Sequence, residues 1–180
     1  YIYEQTKWES YNLKLNPSFK LAIESNSNYK DWVAGEPLPN PGVEFKGLPI
    51  DSMNRTFLGL NATEINLSFF NTSGISEMEY MFSESKMNEI DLSSFDTRNL
   101  VNMEGMFSNS DAETINISGF ETPRLKYMGA TFSKSKAKSI DIRHLDTSKV
   151  LDMGYLFHLA SATNIEVSGI STANVTTMEG

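Results

Sequence analysis

A column of polar side chains recurs along this chain at one fixed interval: Asn66, Asp91, Asn116, Asp141 and Glu166. Two flanking columns accompany it. Glu64, Glu89, Thr114, Ser139 and Asn164 lie two residues before it, and Ser68, Ser93, Ser118, Arg143 and Ser168 lie two residues after. Residues two apart on an extended strand project from the same face, so the three columns describe one polar, mildly acidic surface. Carboxylates, amides and hydroxyls in such an array can recognise a protein or a glycan. Stacked carboxylates could also hold a divalent cation, but Asn66 and Asn116 relieve their repulsion whether or not anything is bound. No metal site is assigned. The candidate ligand-binding residues are Glu64, Asn66, Glu89, Asp91, Asn116, Asp141, Arg143, Asn164 and Glu166.

Acid–base or nucleophilic chemistry has no comparable array. His144 and His158 are the only histidines, and they occupy different phases of the repeat. Asp141 and Asp146 are close to His144, yet no nucleophile or metal motif at fixed spacing accompanies them. Cysteine is absent, which excludes a thiolate zinc site and a cysteine nucleophile. Gly47, Gly59 and Gly74 match no phosphate-loop pattern. The expectation is a non-enzyme without a cofactor.

The elements that carry the face repeat with the same 25-residue interval. Phe57, Phe82, Phe107, Phe132 and Phe157 form one column, and Met53, Met78, Met103, Met128, Met153 and Met178 another. Ile65 to Ile165 and Thr72 to Thr172 hold two further phases. A constant period of this size signals stacked supersecondary units, each too small to bury its own apolar residues. In the best-formed unit, Ile90-Asp91-Leu92 alternates as a short strand, and Ser94-Phe95-Asp96-Thr97 reads as a turn and helix N-cap. Leu100, Met103, Met106 and Phe107 then make one stripe of a short helix. Strand, turn, helix and turn per unit predict an α/β solenoid, with short parallel strands on one face and short helices on the other.

Residues 1–44 stand outside the period. Tyr11, Leu13 and Leu15, then Phe19, Leu21 and Ile23, alternate on either side of Asn16-Pro17-Ser18, which predicts a β-hairpin. Pro37, Pro39 and Pro41 mark a connector, and the whole segment suits a cap over the first repeat. Residues 45–180 form the repeat solenoid, which stops in mid-repeat and so implies a longer natural protein.

A net charge of −8 argues against a nucleic-acid surface and against adhesion to anionic lipid. No apolar run of about 18 residues is present to span a membrane.

The segment Ile90-Asp91-Leu92-Ser93-Ser94-Phe95-Asp96-Thr97, with Met103 and Met106-Phe107 after it, resembles the BspA-like leucine-rich repeat family of bacterial surface proteins. The resemblance covers about Phe45 to Gly180. Departures include His144-Leu145 where Ser-Phe is usual, and Ser171 in place of the Asp before Thr172. The resemblance implies a leucine-rich-repeat-like, right-handed coil in an extracellular protein, secreted or anchored at the cell surface. It implies adhesion to a host or neighbouring-cell protein or glycan, and it carries no catalytic residues. The alternative is a stalk or spacer that displays another domain.

Overall fold

A computed structural model describes residues 44–45, 48–49, 52–60, 67 and 72–180. The hairpin and proline-rich connector expected before Glu44 lie outside the described residues, as do Glu64 and Asn66. Strands β1 (Glu44–Phe45) and β2 (Leu48–Pro49) form a small antiparallel pair. Four three-residue strands follow: β3 (Glu89–Asp91), β4 (Thr114–Asn116), β5 (Ser139–Asp141) and β6 (Asn164–Glu166). β3 pairs with β4 in parallel, Ile90 opposite Ile115, and β5 pairs with β6, Ile140 opposite Ile165.

Successive 25-residue units stack in register as coils. On the far side of each coil from the strands, parallel bridges link Ser52, Glu77, Asn102, Tyr127, Asp152 and Thr177 in one unbroken column. The aromatic column fills the interior. Ring centroids of Phe57, Phe82, Phe107, Phe132 and Phe157 are stacked 5.0–6.0 Å apart. The first four rings are fully buried, with Met78, Met103, Met128, Leu100 and Leu125 around them. Each such side chain contributes about 1.5–3 kcal/mol on burial, and it reaches that burial only because another coil lies over it.

The expected helices are absent among the described residues, which overturns the α/β assignment and the leucine-rich-repeat-like architecture with it. Residues 79–84, 104–109, 129–134 and 154–159 form runs of turns instead. Within residues 53–60, amides alternate between two kinds of partner. Thr56, Leu58 and Leu60 donate to carbonyls three residues back, while Met53, Arg55, Phe57 and Gly59 donate to Glu77, Glu79, Met81 and Ser83 of the next coil. A helix would direct all of these bonds along its own axis.

Spacing explains the choice. Coils repeat every 5–6 Å along the aromatic column, whereas packed helices need about 8–10 Å between axes. The turns require two left-handed residues per coil, at the phases of Arg55, Tyr80, Gly105, Ala130 and Tyr155, and of Gly59, Glu84, Asn109, Lys134 and Leu159. Left-handed backbone costs a side-chain-bearing residue about 1–2 kcal/mol. The cost is offset locally, because the amides of Tyr80, Glu84, Ala130 and Lys134 each donate to the adjoining coil at 2.7–2.9 Å. The apolar spacing of three and four thus belongs to consecutive turns that place Leu100, Met103, Met106 and Phe107 inside, every one fully buried.

The threonine column is an inter-coil staple, and no helix follows for it to cap. Thr97 is buried, and its hydroxyl donates to the Glu121 carbonyl at 2.9 Å while accepting from the Glu121 amide at 2.9 Å. Thr72 holds Asp96, Thr122 holds Asp146 and Thr147 holds Ser171 in the same two-bond manner. A hydroxyl suits this position because it donates and accepts at once.

Candidate functional site

The polar columns lie along the strand side of the coils. Glu89 and Asp91 stand exposed on β3, Asn116 is half-buried on β4, Asp141 is exposed on β5 with exposed Arg143 after it, and Asn164 and Glu166 are on β6. The structure therefore brings together those candidate residues that it describes, one set per coil. The Asp/Asn column has a local role as well. Asp91 Oδ1 accepts the Ser93 amide, Asn116 Oδ1 the Ser118 amide and Asp141 Oδ1 the Arg143 amide, at 3.0–3.1 Å. These are Asx-turns, which end the strand after three residues.

Neighbouring coils also share polar partners. Asn116 Nδ2 donates to Asp91 Oδ1 at 2.9 Å, and Lys138 pairs with Glu113. Arg143 grips both oxygens of Asp141, with Nε on Oδ1 at 3.0 Å and one terminal nitrogen on Oδ2 at 2.7 Å. Those hydrogen bonds from the guanidinium hold the Asp141 carboxyl down at about 2. Asp91 is also lowered, first by the backbone amide of Ser93. Both stay ionised throughout the neutral range.

Among the described strands of this face one interval is unlike the other two: β4 and β5 are adjacent in the stack but unpaired. Leu92 N–H reaches Asn116 O at 2.9 Å, and Ile142 N–H reaches Glu166 O at 3.0 Å. The equivalent bond from Ile117 N–H to Asp141 O is not formed. The coils remain joined on both sides of the gap, by Lys138 N–H to Glu113 O at 3.0 Å and by the Thr122 staple to Asp146. Behind it the Phe107 and Phe132 rings are 5.4 Å apart. Between β4 and β5 lies an open cleft of about 340 Å³. Ile115 on its wall is half-buried, whereas Ile90 and Ile140 at the same phase are buried.

One side chain stands at the opening. Between β3 and β4 the coils approach so closely at Gly119 that a Cβ there would lie 2.2 Å from Ser93 O. One coil later the same phase holds His144, whose Cβ would meet Ser118 O at the tight spacing. The His144 imidazole reaches across the opening, with Nε2 2.9 Å from Ile117 O. His144 is a wedge. The sequence offered it no nucleophile or metal motif and so no role. The signal was its phase: Phe69, Ser94, Gly119 and Gly169 hold that position elsewhere, so His144 stands where the coils on either side of it carry glycine.

Among the described residues no group of three or more His, Cys, Asp or Glu is placed to hold a metal ion. No helix of the described residues is long and apolar enough to cross a membrane.

The family model described as "Mycoplasma protein of unknown function, DUF285" matches residues 43–143 and, as a second copy, 112–180. The matches together span about three quarters of the chain, and the overlapping copies agree with the repeat. The chain belongs to this repeat family. A leucine-rich repeat of the BspA-like kind finds no separate support. No curated protein and no solved structure matches the chain.

Proposed function

We propose that this chain is an extracellular recognition module of a bacterial surface protein, adhesive towards a macromolecule of a host or neighbouring cell through its strand face. The observation that carries the reading is a contrast between inside and outside. The inward columns are nearly uniform, with Phe at one phase and Thr at another in every coil, buried at Phe57 to Phe132 and at Thr72 to Thr147. The exposed strand phases differ from coil to coil: Asp91, Asn116, Asp141 and Glu166 at one, Ser93, Ser118, Arg143 and Ser168 at the next. Core uniformity serves stacking, and stacking makes no demand on outward groups. A differentiated exposed face suits a binding surface, which repeat solenoids build along their length. A plain spacer has no use for it. The resemblance to BspA-like surface proteins points the same way, towards a protein or glycan partner outside the cell.

The test is titration of the fluorescently labelled chain onto intact cultured animal cells, beside a variant carrying Asp91→Lys, Asp141→Lys and Glu166→Lys together. Saturable binding that the triple variant loses, while it still shows the parent's circular dichroism spectrum and a cooperative melt above the assay temperature, is the expected outcome. Absence of saturable binding, or equal binding by the variant, refutes the reading.

A further inference from the structure

We propose that the cleft held open between β4 and β5 by His144 is a saccharide site that takes one or two sugar rings. The inference rests on the recognition reading above and names a ligand class for one place on that face.

The volume, about 340 Å³, is at the small end of ligand pockets, which run about 300–1,000 Å³. The walls are chemically mixed at short range. Asn116 and Ser118 supply a carboxamide and a hydroxyl from the β4 side, and Ser139, Asp141 and His144 supply a hydroxyl, a carboxylate and an imidazole from the β5 side. Half-buried Ile115 adds an apolar wall. Donors and acceptors facing each other over an apolar surface match a ring that bears hydroxyls on its rim and C–H groups on its faces.

Other occupants fit less well. An anion would meet Asp141, while the cleft's one lysine, Lys138, is already engaged by Glu113. A cation would find the Asp141 carboxylate gripped by Arg143. An extended peptide inserted between β4 and β5 needs twice the strand spacing of about 4.8 Å. The bonds at either side of the gap and the Phe107–Phe132 stack at 5.4 Å forbid that separation, whereas a sugar ring needs only to rest edge-on at the mouth of the cleft and not to enter between the strands.

The wedge makes the site testable without disturbing the rest of the face. His144→Gly restores the residue type found at 119 and 169; it lets β5 close on β4 and removes the cleft. Ser139→Trp fills the cleft while leaving the wedge. Saturation-transfer NMR with glucose, galactose, N-acetylglucosamine and their 1,4-linked disaccharides, at millimolar concentration, reads binding directly. The expected result is ring-proton saturation for at least one sugar, with affinity reduced about tenfold or more in both variants. Amide exchange at Ile117 slows in His144→Gly as its N–H finds Asp141 O. Should His144→Gly fail to fold, Ser139→Trp alone decides. The proposal is overturned if no sugar in the panel is saturated, or if a sugar binds both variants as tightly as the parent chain. Cell binding that disappears in the triple lysine variant but survives in both cleft variants would overturn this proposal and leave the recognition reading standing.

Discussion

Replacing Thr97 with valine tests how these coils are held together. Valine matches threonine in volume, so the substitution removes the hydroxyl and little else. The Glu121 amide and carbonyl then lose their shared partner, bonded at 2.9 Å on both counts. A backbone group left unpaired away from water costs about 1–3 kcal/mol. Glu121 is exposed, so the lower half of that range applies to each group and the pair amounts to about 2–4 kcal/mol. With a urea m-value of about 2 kcal/mol/M, the midpoint falls by roughly 1–2 M. Thr97→Ser keeps both bonds and loses one buried methyl, about 1 kcal/mol. Thr97→Asp separates the staple from the helix cap that sequence alone suggested. Aspartate caps helices about as well as serine or threonine, but an ionised carboxylate cannot donate to the Glu121 carbonyl. The expected order of stability at pH 7 is parent, Ser, Val, then Asp. The reasoning fails if Thr97→Val lies within about 0.5 kcal/mol of the parent, a change typical of bland surface positions, or if Thr97→Asp is as stable as Thr97→Ser.

Gly119→Ala places a methyl 2.2 Å from Ser93 O, so it opens the β3–β4 ladder as His144 opens the next; the Leu92 amide, bonded to Asn116 O, exchanges faster by hydrogen-exchange NMR, and an unchanged rate refutes the wedge argument. Asp141, held at about 2 by Arg143, has its carboxyl depressed below the ordinary 3.8. Its contribution to stability is therefore fully present above about pH 4 and lost as pH falls towards 2. A carboxyl-carbon titration by NMR shows the depressed midpoint, and Arg143→Ala returns it towards 3.8; a midpoint that ignores the substitution removes Arg143 as the cause.

The repeat, the buried columns and the outward polar columns were all legible in the residues, because stacking makes one steric demand per phase and the same demand returns every 25 residues. Phe57, Phe82, Phe107 and Phe132 had to share an environment once any two of them did, and they are stacked and fully buried. Local pattern could not separate a helix from a run of turns. Both put Leu100, Met103, Met106 and Phe107 on one side, and the decision belongs to the neighbouring coil, whose carbonyls take every second amide at a spacing no helix pair can match. The role of the threonines was hidden for the same reason, since a bond from Thr97 to Glu121 spans 24 residues. The cleft is the sharpest case. Sequence holds His144 at the phase of Gly119, but only the close approach of Ser93 O to Gly119 in the folded stack makes a side chain there into a wedge. What one strand's worth of residues determines is which way its side chains face; how far apart two coils stand is decided by the bulkiest group caught between them.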